Sequence, residues 1–86
     1  MKVFIPSPLH SYTGGRSIVE GEGRSLTELL TFLDGRYPGV RFRIVDEQDQ
    51  VRPHIRFFVD GEMAPTIRTP IAPGAEVHII CALSGG

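Results

Sequence analysis

The 86-residue chain has a single cysteine, Cys81, and a single lysine, Lys2. One thiol excludes an internal disulfide framework, and His10, His54 and His78 are scattered without metal-ligand spacing to it, so no metal site is expected. No apolar run approaches the roughly 20 residues that a bilayer-spanning helix needs. The opening MKVFIPSPLH reaches proline before the apolar stretch of a signal peptide could form. The expectation is a cytoplasmic protein with no membrane partner. A charge excess of either sign is missing too: 9 Lys and Arg stand against 10 Asp and Glu. Such a balance gives no sequence-independent attraction to phosphate backbones, and nucleic acid is not expected as a partner. The length allows one core and no two-lobed enzyme around an enclosed cleft.

What is present reads as a run of short elements without repeats or linkers. KVFIP is a first strand ended by Pro6 and Pro8, and SYTGGR carries the Gly14, Gly15 pair of a connecting turn. TGGRS lacks the G-x-x-x-x-G-K-[ST] pattern of a phosphate loop, so those glycines are assigned to the turn. SIVEGEG is the returning strand. In RSLTELLTFLDGRYPG, Ser25 and Glu28 have capping-box spacing, and Leu26, Leu29, Leu30 and Leu33 fall at i, i+3, i+4, i+7. That predicts one amphipathic helix, stopped by Gly35 and barred from continuing by Pro38.

The segment GVRFRIVD is open between two readings. Val40, Phe42 and Ile44 alternate with arginines as in a strand, whereas Val40, Ile44 and Val45 suit a short helical turn. HIRFFVDG is a strand with Ile55, Phe57 and Val59 on one face, followed by a hairpin turn at Asp60, Gly61 and a short partner EMAP. EVHIICAL, entered through the turn APGA, is the last strand, with Val77, Ile79 and Cys81 inward. One helix across one mixed sheet buries a single apolar stripe against a single apolar face. The predicted class is therefore α+β: four to five strands and one main helix, with the first and last strands parallel at the sheet centre. That order is the β-grasp, or ubiquitin-like, architecture.

With FFVDGE on the hairpin, IAPGAEVHII leading into the last strand and SGG at the end, the chain resembles the ThiS/MoaD family of prokaryotic sulfur carrier proteins over essentially its whole length. IPSPLHSYTGG and IVDEQDQVRPHIRFFVDGE are similar to the branch that supplies sulfur for cysteine biosynthesis or related small-molecule pathways. The resemblance implies a short helix for VRFRIVD. It also implies a β-grasp domain over residues 1–82 and a flexible tail over 83–86.

The chemistry of such a tail is specific. A carboxylate is a poor electrophile, and transfer to the α-phosphate of ATP turns it into an acyl-adenylate from which a sulfur nucleophile displaces AMP. The C-terminal thiocarboxylate that results can be passed to an acceptor. Gly86 is then the reacting residue, and Gly85 and Ser84 give access, because a chain without bulky side chains can thread a narrow channel. The protein would be a substrate, not an enzyme. The resemblance implies a ubiquitin-activating-type adenylyltransferase that uses ATP and Mg²⁺ which the carrier itself does not bind. It further implies a sulfur donor enzyme, a sulfur-accepting biosynthetic enzyme, and a carrier that is monomeric when free.

Pleating puts Phe58 opposite to Ile55, Phe57 and Val59, and Ile80 opposite to Val77, Ile79 and Cys81. Phe58 and Ile80 are thus expected on the solvent side, upstream of the tail, as a docking patch for partners. Cys81, inward and without a cation beside it in sequence, is expected to be a buried structural thiol. Arg36, Arg41, Arg43, Arg52 and Arg56 interleave with Asp34, Asp46, Glu47 and Asp49, which predicts a solvated mixed surface. Two other functions share the fold. One is a ubiquitin-like modifier conjugated through Gly86 to target lysines, for which Lys2 alone could support self-chains. The other is a non-catalytic β-grasp interaction domain.

Overall fold

The capping signal opens a helix where it is predicted. In the computed structural model, which describes residues 1–82, helix α1 spans Leu26–Arg36, with Ser25 extended at its N-cap. The Ser25 hydroxyl accepts the Glu28 N–H at 3.3 Å. The Glu28 carboxylate reaches back one residue further than in a capping box and accepts the Arg24 N–H at 2.9 Å. Two more first-turn donors are met from a distant loop: Leu26 N–H donates to Thr69 O and Thr27 N–H to Ile67 O. Residues 66–71 therefore close the helix start and carry Ile67 and Ile71 into the core.

The predicted stop at Gly35 is displaced. Gly35 lies inside α1, which runs to Arg36 and ends with Tyr37 N–H donating to Leu33 O at 2.7 Å. Pro38, with no N–H to offer, prevents further turns. The left-handed residue is Gly39 (φ 94°), which opens a second helix, α2, over Val40–Ile44. Asp34 Oδ1 accepts from the N–H groups of both Gly39 and Arg41, so α1 caps α2 with a side chain. The open segment is thus helical: Val40, Ile44 and Val45 are buried, while Phe42 is 54% exposed beneath the Arg52 guanidinium, 4.6 Å from the ring centre.

The strands are β1 (Lys2–Phe4), β2 (Ile18–Glu20), β3 (Ile55–Val59), β4 (Glu62–Met63) and β5 (Val77–Cys81). They form one sheet in the order β2-β1-β5-β3-β4. β1 and β5 pair in parallel at its centre, and the remaining pairs are antiparallel. Asp60 (φ 50°) and Gly61 (φ 85°) both take positive φ, which suits the two-residue hairpin turn between β3 and β4. One face of the sheet presents Val3, Val19, Phe57, Val77 and Ile79 to Leu26, Leu29, Leu30 and Leu33 of α1, all in one buried cluster. Each such side chain contributes about 1.5–3 kcal/mol by leaving water. The mixed surface around α2 is largely self-paired: Arg41 bridges to Asp49, and Asp46 Oδ1 accepts from Gln48 and Gln50 N–H. Among the described residues, no helix is long and apolar enough to cross a membrane.

Candidate functional site

The same strands that bury one set of side chains display another on the face away from α1. In β5, Val77 and Ile79 are buried, whereas His78 is half-buried and Ile80 is 41% exposed. In β3, Ile55 and Phe57 are buried, Arg56 is exposed and Phe58 is half-buried. Register joins the outer positions into a line. Ile18 stands opposite Phe4, Phe4 opposite His78, His78 opposite Phe58, and Phe58 opposite Met63. The row crosses all five strands. At its middle, the Phe4 and His78 rings stack with centroids 4.0 Å apart and planes 6° from parallel. Ile80 lies one pleat further along β5, opposite Arg56.

Phe58 and Ile80 are on the outer face, as the alternation predicts. Phe58 is less open than Ile80 because it has row neighbours on both sides, His78 and Met63. Sequence reasoning misses Phe4, Ile18 and Met63 as members of the same row. Alternation from buried Val3 and Val19 places Phe4 and Ile18 outward, but only the register shows that they line up with His78 and Phe58.

The end of β5 leads to the candidate reactive residues. Ala82 N–H donates to His54 O at 2.7 Å, tying the exit of the strand to the start of β3. Ser84, Gly85 and Gly86 lie outside the described residues. Cys81 stands opposite Ile55 and faces inward, as expected, but it is a half-buried free thiol and not a fully buried one. It is the last residue of its strand, where the sheet that covers it stops. Gly14 and Gly15 both take positive φ in the β1–β2 connection, consistent with the turn assigned to them. Behind β3, in the turn of residues 46–50, the Gln50 and Gln48 N–H groups hold the Asp46 carboxyl below its ordinary value of 3.8, aided by the charge of Arg52.

Known proteins share this fold. The chain is 30% identical over 89 aligned residues to sulfur carrier protein CysO of Mycobacterium tuberculosis, covering 98% of this chain and 96% of that one. It superposes with a TM-score of 0.90 and 27% identity on a chain of the crystal structure of the Amycolatopsis orientalis BexX/CysO complex, covering 99% of this chain and 98% of that one. SAMP1 from Haloferax volcanii matches with a TM-score of 0.77 and 25% identity, covering 100% of this chain and 98% of that one. These likenesses establish the β-grasp architecture. The ThiS family model matches residues 3–86, from the second residue of β1 through both helices and the final glycines, and the chain belongs to the ThiS family.

Proposed function

We propose that the protein is a sulfur carrier whose Gly86 carboxylate is adenylated and then converted to a thiocarboxylate. The observation that carries this reading is the extent of the family match, which continues past the last strand through Gly86. In the first step a Gly86 carboxylate oxygen attacks the α-phosphate of ATP on a ubiquitin-activating-type enzyme and pyrophosphate leaves. In the second, sulfide (HS⁻) delivered by a donor enzyme attacks the acyl carbon, AMP leaves and the thiocarboxylate remains. Gly85 and Ser84 admit the chain to both active sites because neither carries bulk beside the attacked carbonyl. The activating partner uses Mg²⁺ and consumes ATP. The carrier contributes no catalytic group of its own, works as a free monomer in the cytoplasm, and hands its sulfur to a biosynthetic enzyme of the kind that makes cysteine or a related small molecule.

Docking of those partners is assigned to the outer sheet face around Phe58 and Ile80. Single exposed apolar residues are ordinary, but a contiguous row across a sheet is the kind of patch that marks an interaction surface. Aromatic anchors dominate such contacts.

The likeness to SAMP1, a small archaeal modifier protein, favours a second reading in which the activated Gly86 is joined to target lysines. The activation step is common to both. Intact mass after incubation with ATP, an activating enzyme and a sulfur donor separates them. Exchange of oxygen for sulfur supports the carrier, a target-protein adduct supports the modifier, and no change rules out both.

A further inference from the structure

The nearly neutral charge of the chain is unevenly distributed along the sheet. β1 and β5 are parallel, with Phe4 opposite His78, so their C-terminal ends lie together. The bond from Ile5 N–H to Ser17 O brings Arg16 to that end, and buried Thr13 fixes it by donating its hydroxyl to Arg16 O at 2.8 Å. β3 is antiparallel to β5, with Ile55 opposite Cys81, which places Arg52 and Arg56 there as well. Residues 5–19 and 51–59 hold these three arginines and no aspartate or glutamate. At the opposite end, Glu20 closes β2, Asp60 lies in the hairpin turn with Glu62 just after it, and Glu76 precedes β5, with Lys2 between them.

The cations at the exit of β5 are held in place by neutral partners. Arg52 Nε donates to Phe42 O, and Arg56 Nη1 donates to Pro53 O and Ile55 O. Arg16 and Arg56 are exposed. Asp49 and Asp34 are engaged, by Arg41 and by the start of α2 respectively. Asp46 feels Arg52 but spends its carboxylate on the N–H groups of its own turn.

We propose that Arg16, Arg52 and Arg56 form a cationic collar that recognises carboxylates around the mouth of the pocket receiving the chain's end on the activating enzyme. The proposal rests on the sulfur-carrier reading. Arg56 stands opposite Ile80 on the outer face, so the collar is continuous with the apolar row assigned to docking. A charge dipole along the strands turns the carrier end-on as it approaches, which raises the association rate more than it strengthens the final complex. A polyanion fits less well, because the acidic far end and the net charge of -1 oppose long phosphate backbones.

The test compares Arg16→Glu with Arg56→Glu, combined, against Lys2→Glu with Arg24→Glu, combined. The net charge change is the same, but the second pair lies at the opposite end of the sheet, where Lys2 stands opposite Glu20. Association and dissociation with the adenylyltransferase are measured by stopped flow at ionic strengths from about 20 to 300 mM, with thermal unfolding confirming that all variants fold. The expected result is about a tenfold slower association for the collar variant at low salt, a flattened salt dependence, little change in dissociation, and a control within about twofold of wild type. Equal slowing of both variants, or none in either, overturns the collar. So does a salt-dependent affinity for duplex DNA that the collar variant loses while its association with the enzyme stays unchanged. A wild-type protein that fails to bind the enzyme at all removes the sulfur-carrier reading and the collar together. A wild type that binds while the collar variant behaves normally removes the collar alone.

Discussion

Phe57 and Phe58 are neighbours of the same chemistry, as are Ile79 and Ile80, yet the sheet gives the members of each pair opposite environments. Phe57 and Ile79 are each 1% exposed under α1. Phe58 and Ile80 face away from α1, in and beside a row that no element of the described chain covers. Core formation requires only the inner set, so the outer set needs a separate reason. The period-2 pleat makes the two sets independently variable: one residue can be changed for stability and the next for recognition.

That independence can be broken experimentally. The largest effect is expected inside: Phe57→Ala or Ile79→Ala should cost about 2–5 kcal/mol through lost burial and a residual cavity, read by denaturant titration. Outside, Phe58→Ala with Ile80→Ala should leave the unfolding midpoint nearly unchanged while weakening binding to the activating enzyme by tenfold or more, or about 1.4 kcal/mol. If the outer pair destabilised the fold as much as the inner pair, or left affinity unchanged, the division between faces would fail. Ser25→Ala touches neither face. Removing the oxygen that accepts Glu28 N–H should cost about 1 kcal/mol, and a larger loss than that of Phe57→Ala would show that the cap, not the buried stripe, holds α1.

The smallest effect concerns pH. Asp46 is held below its ordinary value of 3.8, so its contribution to stability is fully present above that value and is lost as pH falls through the lower folded-state value. Asp46→Asn keeps an accepting oxygen and removes the titration. Its stability should therefore fall less steeply than that of wild type as the solution is acidified below about pH 4. Identical acid limbs for the two proteins would contradict the assignment.

Local rules made much of this fold legible. A capping box, a leucine stripe and an Asp-Gly hairpin each act within a few residues, and α1 and the β3–β4 turn follow from them, whereas the central β1–β5 pair follows from the order of the elements and the need to cover one sheet with one helix. Legibility ended where distant parts decide. Gly35 resembles a helix stop, but the chain continues one residue beyond it because Leu33 O still receives Tyr37 N–H and Gly39 takes the left-handed turn instead. Residues 40–45 carry two periodicities at once, and the packing of Val40, Ile44 and Val45 with Phe42 left outside selects the helical one. Ile67 and Ile71 belong to no regular element, and their burial depends on carbonyls that close the start of α1 some 40 residues away in sequence. Of the candidate site, Phe58 and Ile80 are readable from alternation, whereas the row through Phe4, Ile18 and Met63 exists only through register.

The central claim is that sulfur is carried on Gly86. The most direct test is fragmentation mass spectrometry of the intact protein after reaction with ATP, the activating enzyme and a sulfur donor, performed in parallel on a variant lacking Gly86. The account predicts an oxygen-to-sulfur exchange localised to Gly86 in the wild type and no exchange in the shortened chain, which should unfold at the same denaturant concentration because no core residue is altered. Sulfur found on the shortened chain, or on Cys81 instead of Gly86, would contradict it.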